Sequence, residues 1–362
     1  MAQEYKVVLL VMGAFVLAGI LSFWLTPHVS EFAHKVGAMD VPRDSRRMHK
    51  KPIPRMGGLA IFMGFLASLM IFGQMDLQML SILLGAMIIV VLGIFDDIVA
   101  LGAKFKFCIQ IIAAAIPVCV GGLKIEFFTS FNPFSNNPYF SLGMLAIPVT
   151  ILWIVGITNA VNLIDGLDGL AAGVSSIAAM TMLAVGLLTN EIMVAITMGA
   201  LAGSCIGFLP YNFNPAKIFM GDTGSTFLGF MLATMSIEGF FKFYAVISFA
   251  VPFLILGLPI FDTASAITRR LMEGRNPMSP DRGHVHHKLV DMGFNVKQAV
   301  AILYAISATL GLAAVILTTS GEAKAMILIL AVILVMAVGG RILWSLQKSM
   351  QARKEQEDDE KH

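Results

Sequence analysis

The residues best suited to chemistry in this sequence are carboxylates that end long apolar segments. Asp96 and Asp97 directly follow the apolar segment MIIVVLGIF. Two adjacent carboxylates at the carboxyl end of a helix oppose the helix dipole and repel each other, so they favour a nearby cation. The pair therefore indicates a metal or a substrate, although an ordinary acidic loop could carry the same two residues.

A second polar cluster, NAVNLIDGLDGL, covers residues 159–170. It places the side chains of Asn159, Asn162, Asp165 and Asp168 among glycines, and oxygen ligands on a bending backbone suit a hard cation or a phosphate-bound metal. The alternative is turn chemistry in which Asp168 caps the next helix. Two amides at the end of a membrane helix are costly without partners, which favours a site.

Two more clusters have a similar character. FMGDTGST, residues 219–226, begins another apolar segment, and its small residues would let backbone N–H groups approach a phosphate. Asp222 in this segment can ligate a metal or cap the helix. RGHVHHK, residues 282–288, concentrates cationic and titratable side chains without a cysteine, so it favours a phosphorylated or sugar ligand over zinc. A solvated basic loop is the alternative there.

The elements that must position these clusters are membrane helices. Of the 362 residues 57% are hydrophobic and 13% charged, a balance that excludes a soluble or disordered chain. The apolar residues form unbroken runs, which indicates helices rather than a β-barrel. The three cysteines lie within such runs and suggest neither a disulfide framework nor a zinc site. A net charge of +2 gives no reason to expect a nucleic-acid partner.

We therefore predict an all-α polytopic integral membrane protein with about eleven transmembrane helices. The apolar runs are residues 7–25, 57–73, 78–95, 105–121, 143–161, 170–188, 192–210, 223–239, 243–261, 298–318 and 325–345. Residues 1–346 then form a single transmembrane catalytic domain, and residues 347–362 a charged cytoplasmic tail. The segment 122–142, rich in Phe, Pro and Asn, predicts a short hairpin at the membrane surface.

Basic residues predict the orientation. The connections after odd-numbered runs, together with the tail, hold 21 of the 25 lysines and arginines and all seven histidines. Because cytoplasmic loops carry an excess of Lys and Arg, the N-terminus is expected outside and the C-terminus in the cytoplasm. All four polar clusters then lie on the cytoplasmic face. To dismiss a shared site, the non-functional alternative would have to hold independently at each of the four clusters.

Five ordered strings resemble the polyprenyl-phosphate N-acetylhexosamine-1-phosphate transferases: RRMHKKPIPRMGG, GIFDD, NAVNLIDGLDGL, NPAKIFMGDTGS and DRGHVHHKL. Within the family the chain looks like the undecaprenyl-phosphate GlcNAc-1-phosphate transferases of teichoic acid, enterobacterial antigen and O-antigen synthesis. The sister enzyme, phospho-N-acetylmuramoyl-pentapeptide transferase, usually has TPTMGG and three consecutive histidines, where this chain has IPRMGG and His-Val-His-His. The alternative to a GlcNAc-1-phosphate transferase is this pentapeptide transferase or a transferase for another UDP-N-acetylhexosamine.

The resemblance implies transfer of GlcNAc-1-phosphate from UDP-GlcNAc to undecaprenyl phosphate at the cytoplasmic side of a bacterial plasma membrane. It implies Mg²⁺ as cofactor, with Mn²⁺ as a substitute, and a homodimer as a candidate assembly. The implied catalytic residues are Asp96, Asp97, Asp165 and Asp168; the metal ligands Asp97 and Asp222; and the substrate-binding residues Lys50, Lys106, Asn159, Asn162, Arg282, His284, His286 and His287.

The chemistry of such a transfer agrees with these residues. One phosphoanhydride replaces another, so neither ATP nor a P-loop is needed, whereas the charge on two phosphates calls for Mg²⁺ and nearby cations. We assign the role of base to Asp96 and metal ligation to Asp97 and Asp222. The alternative outside the enzymes is a secondary transporter. A transporter should carry ionisable groups near the middle of the membrane, whereas these carboxylates lie at helix ends. A lipid-binding scaffold would not need these aspartates.

Overall fold

The computed structural model describes residues 2–41, 52–129, 139–240, 246–276 and 283–320, with the separate helical residues 324, 327, 330, 331, 333, 334 and 341. Within these residues the chain is mainly helical, as predicted. The helices are α1 Ala2–Val36, α2 Gly58–Phe72, α3 Leu77–Val99, α4 Ala103–Cys119, α5 Ala146–Ile164, α6 Leu170–Leu188, α7 Ile192–Asn212, α8 Gly221–Phe240, α9 Val246–Ile255, α10 Gly257–Met272, α11 Val285–Asp291 and α12 Val296–Ser320.

Six of the described helices are long and apolar enough to cross a membrane, which fits a multi-pass membrane protein. Nine of the predicted runs coincide with one helix each. The run at 325–345 lies largely outside the described residues, as does the tail 347–362. The number of eleven spans and the orientation of the termini stay predictions.

The run at 243–261 is divided between α9 and α10 at Leu256, so the expectation of one continuous helix there was wrong. Pro259 explains the break, because it has no N–H to donate to the carbonyl of Ile255, four residues earlier. Beyond the break the apolar residues recur at helical spacing among polar ones, so α10 is amphipathic. Its polar face carries Asp262, which is 3% exposed.

Helix α8 is buried on all sides from Thr223 to Ile237 and forms the centre of the molecule. Its first turn contacts α2 and α3 through glycines. A Cβ built on Gly58 would lie 2.0 Å from the Cα of Gly224, and one on Gly93 would lie 2.4 Å from the Cα of Thr223. Because only glycine permits these approaches, the amino end of α8 is fixed against both neighbouring helices.

Small residues also join α1 to α7. A Cβ on Gly203 would lie 2.0 Å from the carbonyl oxygen of Phe15, and one on Gly207 would lie 2.1 Å from that of Gly19. Spaced four residues apart, the two α7 glycines let the helix backbones touch, as small residues do between membrane helices. This packing fixes α1, which continues to Val36, well beyond the end of the predicted run.

In the described part of the chain, two short pairs of antiparallel strands accompany the helices. Strands β3 Phe127–Thr129 and β4 Tyr139–Ser141 pair within the segment for which a hairpin was predicted, and its position on the membrane surface stays a prediction. Strands β1 Met39–Asp40 and β2 Ile53–Pro54 form a hairpin that the sequence did not reveal. This second hairpin directs the chain towards the amino end of α8.

Candidate functional site

The polar clusters meet around one cavity of about 1070 Å³, here called the site cavity. Its walls come from the end of α1, strand β2, the turn after α5, the loop between α7 and α8, and helix α11. Residues with polar side chains on its wall include Ser30, His34, Asp40, Arg55, Asn162, Asp165, Asp168, Asn212, Asn214, Lys217, Asp222 and His287. The structure thus brings together residues that are far apart in the chain.

The carboxylate of Asp97 ties α3 to the amino end of α8. Its Oδ1 accepts from the backbone N–H of Asp222 at 3.0 Å, and its Oδ2 accepts from the backbone N–H and hydroxyl of Thr223 at 3.1 and 2.6 Å. The carboxylate therefore caps α8 and faces the positive end of the helix dipole. Two donors of Arg55 complete its environment. The role of Asp97 as a metal ligand stays a prediction. Metal binding would require some of these hydrogen-bond donors to move away from the carboxylate.

Lys106 joins the two other carboxylates of this region. Its Nζ lies 2.9 Å from Asp96 Oδ2 and 2.8 Å from Asp222 Oδ2. Asp96 also accepts from the backbone N–H of Leu101 at 2.7 Å, and it is not part of the cavity wall. Asp222 does line the cavity, with its carboxylate directed at Lys106 rather than at the N–H groups of α8. This geometry disfavours the reading of Asp222 as a simple helix cap.

Arg55 is a site residue for which no role was predicted, although it stands in the PIPRMGG string. Its Nε and Nη2 lie 3.0 and 2.9 Å from Asp97 Oδ1, and Nη2 lies 3.9 Å from Asp222 Oδ1. The backbone of Phe219 fixes this segment, because its N–H donates to Pro54 at 2.8 Å and its carbonyl accepts from Gly57 at 2.9 Å. A loop arginine has no periodic signal, so only the fold reveals its place.

The turn after α5 forms another part of the cavity wall. Asp165 is a half-buried residue that ends the helix and lines the cavity. Burial, reinforced by the negative charges of Asp222 and Asp97, raises the pKa of Asp165 to about 7. Asp168 Oδ2 accepts from Asn214 Nδ2 at 2.9 Å and from the N–H of Ala216 at 3.0 Å, so this carboxylate joins the turn to the loop before α8.

The alternative reading of Asp168 as a helix cap is not what the structure shows. Gly169 occupies the N-cap of α6, with φ of +80°, a conformation that favours glycine. Its N–H donates to Asn212 Oδ1 at 3.1 Å, and its carbonyl accepts from the hydroxyl of Tyr304 at 2.5 Å. Helices α7 and α12 therefore hold this turn, and neither contact was predicted from sequence.

The two predicted asparagines make contacts between helices. Asn159 Nδ2 donates to Gln110 Oε1 at 2.7 Å, and Asn162 Nδ2 donates to Ser225 Oγ at 2.8 Å. These contacts satisfy the expectation that amides at the end of a membrane helix have partners. Asn162 lines the site cavity, whereas Asn159 is not part of its wall. A substrate-binding role for either residue stays a prediction.

The three histidines occupy different places. His287 lines the site cavity, whereas His284 and His286 are 5% and 3% exposed and lie behind its wall. His284 Nδ1 lies 2.8 Å from Asp262 Oδ2, a partner that our sequence analysis did not identify. Burial, with a smaller effect from neighbouring His287, lowers the pKa of His286 to about 4, so this ring is neutral at pH 7. Lys50 and Arg282 lie outside the described residues.

The side chains of the site cavity fit a magnesium ion that also contacts substrate. Within the described part of the chain, no three histidine, cysteine or carboxylate side chains come close enough to form a metal cage. Mg²⁺ in nucleotide-handling sites commonly takes only one or two carboxylates, with phosphate oxygens and water completing the octahedron. Asp222, a carboxylate on the cavity wall, is compatible with that arrangement.

Comparisons with known proteins agree with these observations. Residues 79–240 match the model of glycosyl transferase family 4. The chain is 42% identical to a Bacillus subtilis (strain 168) protein named probable undecaprenyl-phosphate N-acetylglucosaminyl 1-phosphate transferase, over 90% of both chains. It is 35% identical to the decaprenyl-phosphate N-acetylglucosaminephosphotransferase of Mycobacterium leprae (strain TN), over 79% of this chain and 78% of that one. It is 29% identical to a phospho-N-acetylmuramoyl-pentapeptide-transferase of Clostridium beijerinckii, over 83% and 94% of the two chains.

Proposed function

The chain belongs to the polyprenyl-phosphate N-acetylhexosamine-1-phosphate transferases of glycosyl transferase family 4, and we propose that it transfers GlcNAc-1-phosphate from UDP-GlcNAc to undecaprenyl phosphate. The observation that carries this proposal is the site cavity, where Arg55, Asp165, Asp222 and His287 converge from four separate segments. The names of the more similar relatives support GlcNAc as the sugar, and the pentapeptide transferase is more distant.

The reaction exchanges one phosphoanhydride for another. An oxygen of the lipid phosphate attacks the sugar-bearing phosphorus of UDP-GlcNAc, the bond from that phosphorus to the bridging oxygen breaks, and UMP leaves with the electron pair. Mg²⁺, held by Asp222 and substrate phosphates, would neutralise the charge that gathers on these oxygens. Arg55 and Lys217 on the cavity wall supply further positive charge for a diphosphate.

We assign the role of proton acceptor to Asp165 rather than to Asp96. Asp165 lines the cavity, and its pKa of about 7 suits a base that accepts a proton from a lipid phosphate at neutral pH. Asp96 instead pairs with Lys106 behind the cavity wall. In this assignment Asp96 and Lys106 hold Asp222 in place, and His287 on the cavity wall is a donor to a substrate phosphate or sugar.

The setting is also a proposal. The polar clusters are expected on the cytoplasmic side of a bacterial plasma membrane, because the charge distribution of the loops favours that orientation. Water-soluble UDP-GlcNAc is then available on the same side as the phosphate of the lipid. The product would initiate a lipid-linked cell-envelope glycan, such as a teichoic acid or an O-antigen, and a homodimer stays a prediction.

The test is direct transfer by the purified full-length chain. UDP-GlcNAc labelled in the sugar is incubated with undecaprenyl phosphate and Mg²⁺, and both UMP and labelled lipid are measured. We expect equal amounts of the two products, and both amounts should fall by orders of magnitude in the Asp222→Asn variant. UDP-MurNAc-pentapeptide serves as the competing donor. A preference for it would reassign the donor but not the reaction, whereas no transfer from either donor would refute the proposal.

A further inference from the structure

Asp262 on α10 holds the beginning of α11 with both of its carboxylate oxygens. Oδ2 lies 2.8 Å from Nδ1 of His284, and Oδ1 accepts from the backbone N–H of Val285 at 2.8 Å. Asp262 is 3% exposed and His284 5% exposed. Since hydrogen bonds to a buried charge are stronger than those between neutral groups, this pair fixes both the imidazole and the first turn of α11.

A second contact joins the same two segments. A Cβ built on Gly283 would lie 2.0 Å from Nη2 of Arg269, so the chain enters α11 pressed against the side chain of Arg269 on α10. Asp262 and Arg269 lie seven residues apart, which places them on the same face of the helix. One face of α10 therefore supports the whole start of the histidine segment.

From Asp262 the imidazoles form a continuous row towards the site cavity. The rings of His284 and His286 are stacked, with centroids 5.8 Å apart and planes 11° apart, and the centroids of His286 and His287 are 4.3 Å apart. His286 is packed against the turn after α5, because a Cβ on Gly166 would lie 2.2 Å from its Nε2. His287 ends the row on the cavity wall.

We propose that Asp262 is a positioning residue for this transferase: it orients His284, and through His284 and His286 it sets the place of His287 in the site cavity. Asp262 itself is not part of the cavity wall, so it acts without touching substrate. Its carboxylate accepts a hydrogen bond from the N–H at Nδ1 of His284 and thereby fixes the tautomer of that ring. This inference rests on the proposed function, because its kinetic test measures the proposed transfer reaction.

The decisive variant is Asp262→Asn, which keeps the shape of the side chain. Its amide can still accept from Val285, but it offers N–H rather than oxygen to Nδ1 of His284, so the ring must change tautomer. We expect kcat to fall by about ten- to a hundredfold, by analogy with the loss found when the carboxylate partner of a metal-binding histidine is removed. The KM for undecaprenyl phosphate should stay unchanged, and Asp262→Glu should recover part of the loss.

A double-mutant cycle with His287→Ala separates positioning from general damage. If Asp262 acts through His287, Asp262→Asn should lower kcat in the wild-type background and have no further effect in His287→Ala. Glu273→Gln is the matched control, because Glu273 is an exposed carboxylate at the end of the same helix that pairs with Arg275. An undiminished effect of Asp262→Asn in the His287→Ala background would overturn the inference.

A readout without catalysis keeps the two proposals distinguishable. Diethylpyrocarbonate modifies accessible imidazoles, and mass spectrometry reports the rate at each histidine. We expect slow modification of His284 in the wild type and in Glu273→Gln, and several-fold faster modification in Asp262→Asn. Equal rates in all three proteins would refute the role of Asp262. A wild type that shows protected His284 but transfers no GlcNAc-1-phosphate would instead refute the proposed function alone.

Discussion

Replacing Asp97 by asparagine should reveal what that carboxylate does. Asp97 accepts from five donors: Nε and Nη2 of Arg55, the N–H of Asp222, and the N–H and hydroxyl of Thr223. If the amide oxygen of the variant faces Arg55, its NH₂ group faces the N–H of Thr223. The threonine hydroxyl can turn and accept, but two N–H groups cannot form a hydrogen bond with each other.

The magnitude follows from these contacts. A hydrogen bond to a charged group contributes about 1.5–3 kcal/mol, and the side chain of Asp97 is 0% exposed, so water does not replace the lost acceptor. Losing the Thr223 contact and the charge opposite Arg55 should therefore destabilise the protein by roughly 3 kcal/mol or more. Asp222→Asn is the matched comparison, since its side chain is 21% exposed and Lys106 keeps Asp96 as a partner. Its cost should stay near 1 kcal/mol, about the value of one ordinary hydrogen bond.

The assay combines thermal unfolding with turnover. Both variants, purified in the same detergent, are compared with the wild type by melting temperature and by UMP release across a Mg²⁺ titration. We expect Asp97→Asn to melt several degrees lower, and Asp222→Asn to melt close to the wild type while losing turnover by orders of magnitude. Equal melting temperatures for Asp97→Asn and wild type would refute the reasoning, because Asp97 would then not join α3 to α8.

Three further outcomes follow from the site. Arg55→Lys keeps the charge but not the planar fork, so the KM for UDP-GlcNAc should rise by about tenfold, and an unchanged KM in steady-state kinetics would remove Arg55 from the substrate site. The folded pKa of Asp165, about 7, exceeds the unfolded value of about 3.9, so its stabilising contribution is greatest at low pH and declines as pH rises from about 4 to 7. Asp165→Asn should abolish that decline in melting temperature, and it should also abolish the rise of turnover through pH 7. A variant with the same two pH profiles as the wild type would contradict both expectations. In a cysteine-less background with intact cells, an impermeant thiol reagent should label Asn190→Cys but not Glu273→Cys, and the reverse pattern would invert the orientation.

The sequence was most informative about which residues cluster, and least informative about what each member does. Asp96 and Asp97 are adjacent, and the sequence predicted that both take part in catalysis, one as the base and the other as a metal ligand. Neighbours on a helix point about 100° apart, however, so one carboxylate meets Lys106 and the other caps α8. Which direction each one takes depends on the packing of α3 against α8, and no local pattern contains that information.

Contacts that join distant segments were the least predictable. Arg55 and Asp262 each bind a partner across a long stretch of chain. Arg55 stands in no periodic pattern, and the helical pattern that places Asp262 on the polar face of α10 does not identify its partner. Hydropathy likewise predicted one span at 243–261, because apolar residues continue through the break at Leu256. The missing N–H of Pro259, two residues after Gly257, was a local sign of that break.

The convergence of the clusters can itself be tested at Gly166. The sequence placed the histidine segment and the turn after α5 on one face of the membrane, whereas the structure makes them touch, since a Cβ on Gly166 would lie 2.2 Å from Nε2 of His286. Gly166→Ala should therefore displace the histidine row and lower turnover well beyond any change in melting temperature. Gly102→Ala is the control, because nothing lies within 4 Å of a Cβ there. If the two variants retain equal turnover, the histidine row and the aspartate turn are separate units, and His287 loses the support on which its place in the cavity depends.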